Sequence, residues 1–444
     1  MTVAQTKLSF FDISIIVVSL VIGMGIFGTP AKVAASAGSS EIFFAAWFAG
    51  GIVALCGALT YAEIGLRLPV MGGYYKVFAE CYHPAVGFTV NILILISNAA
   101  SLGVVALIGA DYVSDLLFGA PSGILFNVSL SIISVIIFYA VNFYGLKTSS
   151  RTQNVLMIIK IAAVIILAAS VLKGVMITPH GYDTNALVYN FKDNNWLKLF
   201  LISMIPVCFS YGGYQQTINF GSEVKETKSL AKGIVAGLIL VMLLYLAINY
   251  AYTKVIGFDE MKNASAVGAL LCEVWFGKTG GKIFDLLMFL SVLGYVNIVL
   301  MSNPRVMYAM SEDGVLPKIF AYKHPKTLAL LPGLTAIAVI TIIITFIGKG
   351  IDNILGFTMF LDSIGMSFSA AALFILRKRK QNEAAVTSNI KNYMPLFTGF
   401  FVFAYFMIAI AVVISNWKAA ATGLILLLIA LGIYFLFYHK KKHV

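Results

Sequence analysis

Charge is what this chain has least of: Asp, Glu, Lys and Arg make up 11% of its 444 residues, where soluble domains carry about 25%. That excludes the ordinary water-soluble classes. Cysteine is scarce as well, and Cys56, Cys81, Cys208 and Cys272 stand far apart with no CxxC pair. Neither a disulfide framework nor a zinc site is implied. The histidines, His83, His180, His324, His439 and His443, are scattered, with no HExxH and no paired acids beside them. The residue sets that a membrane-embedded enzyme needs are therefore missing. No repeated filter or ring of charge marks a channel.

What is abundant is apolar: 60% of the residues are hydrophobic and 13% aromatic. At roughly 20 apolar residues per bilayer crossing, the chain has room for about a dozen helices. Apolar stretches bounded by charged or turn residues predict spans near 11–37, 42–66, 85–116, 124–143 and 155–172. After a polar loop carrying Asp183, Asn185, Asp193 and Asn194, further spans are predicted near 196–220, 230–256, 283–309, 328–347, 354–376, 394–415 and 419–438. The expectation is an all-α integral membrane protein of twelve transmembrane helices. The first apolar run is read as a retained span, since only Lys7 precedes it and no small-residue cleavage site in a polar context follows.

Placing both termini inside puts 20 of the 31 Lys and Arg on inner segments and 10 on outer ones, with Lys160 inside a span. This two-to-one bias agrees with the rule that inner loops are basic. The net charge of +12 then reflects those loops and not a nucleic-acid partner. Lys440–Lys442 reads as an anchor for anionic lipid. Glu63, Glu223 and Asp362 read by default as solvated or interfacial acids, with pairing to basic residues at the inner face as the other reading, and Asn263–Ala264–Ser265 fits a glycosylation acceptor on an outer loop.

Two spans are interrupted. The first contains Gly23–Met24–Gly25–Ile26–Phe27–Gly28, then Thr29–Pro30. The literal GxGxxG match is not a dinucleotide site, because no later segment offers the βαβ packing and ribose-binding acid which that site requires. Close helix packing explains glycines on one face but not a cluster. A broken helix does explain it, and unwound backbone is tolerated at membrane depth only where protein or a polar ligand covers it. The sixth span carries a second interruption, Phe209–Ser210–Tyr211–Gly212–Gly213–Tyr214, with Pro206 upstream.

If spans 1 to 5 form one repeat and 6 to 10 another, both repeats open with a Gly-interrupted helix. Five is odd, so the second repeat runs inverted, and paired interruptions of this kind point to a transporter site. The predicted units are residues 1–175, 176–380 and, for spans 11 and 12 with the tail, 381–444. At the first break the outer half-helix begins, so free NH groups and a positive dipole end meet a carboxylate. Freed carbonyls at the second accept from an ammonium. Together they hold a zwitterionic amino acid with no charged side chain at either end.

At these residues the sequence resembles the amino acid, polyamine and organocation superfamily of permeases. Tyr61–Ala62–Glu63–Ile64–Gly65 with Pro69 and Gly72–Gly73–Tyr74 resembles the exit loop of the family's second span. Ser222–Glu223–Val224–Lys225 resembles the segment after span 6. Asn303–Pro304–Arg305, Tyr308–Ala309–Met310, Asp313 to Lys318 and His324–Pro325–Lys326 resemble the loop after span 8, and Phe374 to Arg379 the end of span 10. Phe209 to Tyr214 and Lys160 point to the L-type amino acid transporter branch with its bacterial serine/threonine exchangers.

The resemblance implies the five-plus-five inverted-repeat fold with discontinuous helices 1 and 6, in the plasma or inner membrane with cytoplasmic termini. It implies no cofactor and no metal, and an amino acid as substrate; no obligate partner subunit is evident, since no cysteine is assigned to an inter-subunit disulfide, and a standalone chain is the simpler reading. Transport of neutral L-amino acids by alternating access follows. The substrate carboxylate would meet the backbone NH groups of Met24, Gly25 and Ile26 beside Gly23. Its amino group would meet the carbonyls of Val21, Phe209 and Ser210. Phe209 would also cover the site as an outer gate, and Gly212 would leave room for the substrate side chain. Met24 stands where many members carry Ser or Thr, which removes a side-chain contact to the carboxylate.

Lys160 lies inside span 5, where a lysine is costly. One reading has it snorkel to the inner interface. The other turns it into the bundle, where desolvation disfavours the ammonium and permits proton exchange. By resemblance it would take the place of a cation joining spans 1, 5 and 8 in sodium-coupled relatives, leaving sodium-independent exchange or proton symport open. Tyr245 resembles a family tyrosine that reaches the central site, though a packed tyrosine is as common.

Overall fold

The computed structural model describes residues 7–23, 25–119, 123–173, 196–264, 267–347, 351–382, 392–415 and 417–437. Met24, His180, the loop acids and amides at 183–194, Ser265 and the terminal 439–443 lie outside the described residues. The helices in order are α1 Phe10–Val21, α2 Gly25–Ala37, α3 Ser40–Arg67, α4 Gly73–Cys81, α5 Pro84–Phe118, α6 Ile124–Phe143 and α7 Leu146–Ala168. There follow α8 Trp196–Ser210, α9 Thr227–Val255, α10 Phe258–Asn263, α11 Val267–Phe276, α12 Gly280–Glu312, α13 Leu331–Ile347, α14 Ile351–Lys378, α15 Met394–Ser415 and α16 Trp417–Phe437. Among the described residues β-pairing is confined to two isolated bridges, Leu8 with Val224 and Met71 with Phe220.

Helix starts are written into the sequence. Ser9 and Asp12 form a reciprocal capping box on α1, which satisfies NH groups that a helix end leaves open. Ser39 caps α3, while His83 caps α5 with Pro84 at its first position. Among the described residues nine helices are long and apolar enough to cross a membrane, and the pair α1 and α2 adds a tenth as one bent span. Helices α11, α13 and α16 are apolar but shorter. The short α4, α10 and α11 divide segments that the hydrophobic pattern leaves as connections.

Helices α1 and α3 pack on α9, and α2 and α3 on α8. Helix α5 packs on α6, α12, α13 and α16. Contact between α1 and α9 is close because Gly233 and Gly237, one turn apart, face Ile13 and Val17, and a Cβ at either would overlap those side chains. Small residues at i and i+4 serve this purpose between membrane helices. A buried amide chain binds α12 to α6 and α7: Asn142 donates to Asn297 Oδ1 at 2.9 Å, and Asn297 donates to Gln153 Oε1 at 2.6 Å and the Ser149 carbonyl at 3.0 Å. Large apolar side chains on the outer helices, such as Leu125 at 77% and Leu436 at 75% exposure, face outward, as a lipid-contacting surface requires.

On the face where α1 begins, ion pairs join elements distant in sequence. Glu63 of α3 accepts from Arg67 at 2.7 Å and from Arg377 of α14 at 2.6 Å. Glu223, just after α8, pairs with Arg305 of α12. Lys76 of α4 meets Asp313 at 2.5 Å. The Leu8 NH donates to the Glu223 carbonyl at 2.7 Å, and the Lys225 NH to the Leu8 carbonyl at 2.9 Å. This face is closed by contacts between opposite charges and by paired backbone.

Candidate functional site

Helix α1 ends at Val21 and α2 begins at Gly25, with their axes bent by 47°. Carbonyls at the end of α1 lose their helical partners and find others. Val21 O accepts from Gly23 NH at 2.9 Å, and Ile22 O accepts from Lys160 Nζ at 2.8 Å. The NH groups of Gly25 and Ile26 occupy the first turn of α2, where a helix provides no internal acceptor and the dipole is positive.

The second break follows α8. Pro206 removes one NH from that helix, which ends at Ser210. The chain then turns through Gly213 (φ +107°) into a 3-10 turn over Tyr214–Asn219. Gly213 is the residue this turn requires: its φ favours glycine, and a Cβ there would overlap the Leu20 carbonyl oxygen of the first break. The two interrupted helices thus touch through backbone. Sequence reading singled out Gly212, which lies in the cavity wall; Gly213 brings the breaks together.

One side chain spans both. The Tyr245 hydroxyl of α9 lies 3.0 Å from the Ser210 carbonyl and 3.2 Å from that of Val21. A single hydroxyl proton is shared between the two acceptors. Lys160 is 4% exposed, so its ammonium stays in the interior and does not snorkel. It also reaches the Ser291 carbonyl of α12 at 3.3 Å, linking α7, the first break and α12.

A cavity of about 290 Å³ lies against both breaks, near the lower end of the roughly 300–1,000 Å³ typical of small-molecule sites. Val21, Gly23 and Gly25 line it from the first break, and Phe209, Ser210, Gly212 and Gly213 from the second. Phe209 is 42% exposed, as a residue at the cavity mouth can be. Ile26 is fully buried and does not line the cavity; its carbonyl accepts from Tyr252 at 3.4 Å. The Phe209 carbonyl accepts from Gly212 NH at 3.0 Å and keeps one lone pair for another donor.

Further lining residues come from other helices, Asn98 and Ser101 from α5. Tyr295 comes from α12, and Asp362 and Ser363 from α14. Asp362 corrects an expectation. Glu63 and Glu223 pair with arginines, but Asp362 faces the cavity. The available signal was its place deep inside a predicted apolar span, the same signal that singled out Lys160. Among the described residues no group of three or more His, Cys, Asp or Glu is arranged to hold a metal ion.

The model of the family described as "Amino acid permease" matches residues 8–436. The serine/threonine exchanger SteT of Bacillus subtilis is 28% identical over 391 residues, covering 86% of each chain. The human cystine/glutamate transporter is 26% identical over 430 residues, covering 95% of this chain and 83% of its own. The human large neutral amino acids transporter small subunit 2 is 26% identical over 446 residues, covering 96% and 80%. Because the family match runs through both broken helices and every wall of the cavity, the chain belongs to the amino acid permease family, integral membrane proteins that carry amino acids and do not transform them.

Proposed function

We propose that the chain is a sodium-independent exchanger of neutral L-amino acids, working by alternating access around the cavity between the two breaks. The observation that carries this reading is that the backbone of both interrupted helices lines one cavity. An amino acid's carboxylate would take the NH of Gly25, in the cavity wall, and those of its neighbours Met24 and Ile26 once the break turns them to the ligand. Its ammonium would take the carbonyls of Val21, Phe209 and Ser210, where the Tyr245 hydroxyl now sits. Backbone dipoles hold both ends without a buried charge pair and its desolvation cost, and the mostly apolar remainder of the cavity suits neutral side chains. Phe209 would act as the outer gate.

Sodium independence draws support from Lys160, whose ammonium already joins the first break to α12. Exchange is supported by likeness to a serine/threonine exchanger. The buried lysine also favours proton symport as the second reading, since a lysine away from water can release its proton. In the proposed topology twelve spans form two inverted repeats, residues 1–175 and 176–380. Spans 11 and 12 follow in 381–444, and both termini are in the cytoplasm of a cell whose plasma membrane holds the protein. The chain works without a partner subunit.

Uptake of labelled amino acids into proteoliposomes holding the purified chain alone tests this. Acceleration by internal amino acid, with no response to sodium or proton gradients, is the expected result. A response to an imposed proton gradient would select symport, and absence of uptake for every amino acid would overturn the reading.

A further inference from the structure

We propose that Asp362 extends the substrate range of the cavity to amino acids whose side chain ends in an ammonium, diamino acids of the lysine and ornithine type. The inference rests on the reading above that the cavity holds an amino acid. Asp362, on α14, lines the same cavity as the two breaks. Among the described residues no Lys, Arg or His lines the cavity with it. Among the described residues the Asp362 side chain makes no hydrogen bond and no ion pair.

Cations buried or half-buried among the described residues are engaged elsewhere. Lys160 is held by the Ile22 and Ser291 carbonyls, and Arg67 and Arg377 are held by Glu63. A carboxylate removed from bulk water needs a partner, and an ionisable side chain at membrane depth that lacks one within the protein receives it from what passes through. A cationic ligand supplies that partner, in place of a proton. Backbone at the breaks serves the carboxylate and amino group common to all amino acids, so Asp362 is free to meet the side chain.

The surrounding chemistry suits an ammonium. Asn98, Ser101, Tyr295 and Ser363 bring oxygen acceptors to the same cavity, and an ammonium has three donors to distribute. A zwitterion with a cationic side chain carries one net positive charge and neutralises the site on binding. An acidic side chain meets a like charge and is rejected. A neutral substrate leaves the carboxylate to water or a proton, which sets a preference without excluding neutral amino acids.

The test compares lysine with norleucine, which lacks the charge, as competitors of labelled alanine uptake by the full chain in proteoliposomes. Lysine is expected to compete at least about tenfold better, the difference expected of a charged hydrogen bond, and labelled lysine is expected to enter. In Asp362→Asn the ratio of kcat/KM for lysine over alanine should fall about tenfold or more, and Asp362→Glu should recover part of it. Equal competition by lysine and norleucine overturns the proposal, as does an unchanged ratio in Asp362→Asn. Alanine uptake with no lysine effect sinks this proposal and leaves the underlying reading standing. Uptake of neither removes both. The wild-type competition needs no variant to fold.

Discussion

Lys160 donates to the Ile22 carbonyl at 2.8 Å, at the point where α1 has stopped and α2 has not begun. The same ammonium reaches Ser291 on α12, so one charge ties the first break to a packed helix. In Lys160→Ala both carbonyls lose their donor, at roughly 1–3 kcal/mol for each buried group left unsatisfied. Transport is expected to fall at least about tenfold while the protein still elutes as a folded species. Full uptake with unaltered pH dependence in this variant would remove Lys160 from the mechanism.

Tyr245 bridges the Val21 and Ser210 carbonyls. In Tyr245→Phe the ring keeps its edge contact with Trp47 and its tilted contact with Tyr211 but the shared donor is gone. One neutral hydrogen bond is worth about 0.5–1.5 kcal/mol, and the substrate ammonium no longer has to displace it, so KM is expected to fall roughly 2- to 10-fold with little change in melting temperature. A variant with wild-type KM would show that the hydroxyl merely packs.

The two breaks respond differently to added side chains. A Cβ on Gly25 would meet Thr29 Oγ1 at 3.3 Å and Ser210 Oγ at 3.8 Å, both side-chain atoms. Gly25→Leu is therefore expected to fold, fill the site and abolish amino acid binding. At Gly213 the positive φ and the Leu20 carbonyl oppose any side chain, and strain of about 1–3 kcal/mol should lower the melting temperature in Gly213→Ala. Unchanged amino acid affinity in Gly25→Leu would refute the carboxylate site, and an unchanged melting temperature in Gly213→Ala the required contact.

Glu223 and Arg305 close the face where α1 begins, helped by the Leu8 backbone. Side chains of this pair are 12% and 8% exposed, and removing one partner of a largely buried pair costs roughly 3–5 kcal/mol. Glu223→Gln is expected to favour the state open on that face. Cys208 lines the cavity and is buried, so a small charged thiol reagent applied from that side should modify it faster in the variant. Equal rates would dismiss the pair as a gate.

Much of this molecule is legible residue by residue. Glycines set within apolar runs mark both breaks, because backbone freed from its helix in a nonpolar surround needs a purpose. Lys160 stands out for the same reason. Asp362 was equally visible inside its span, yet it was read with Glu63 and Glu223 as an interfacial acid or a partner for basic residues at one face. Two of those acids have arginines and the third has a cavity, and no count of neighbours in sequence distinguishes them. The importance of Gly213 beside Gly212 depends on a dihedral angle and on Leu20, nearly two hundred residues away.

The sequence by itself determined that the chain is helical and membrane-embedded, and where two helices break, because hydrophobicity, proline and glycine act over a few residues. Tertiary structure alone decided which groups meet at the breaks. The rotation of α7, α9 and α14 about their axes sends Lys160 to Ile22, Tyr245 to Val21 and Ser210, and Asp362 to the cavity. That rotation is set by packing against neighbours distant in the chain, and a membrane helix apolar on all sides carries little periodic signal of which face it turns inward.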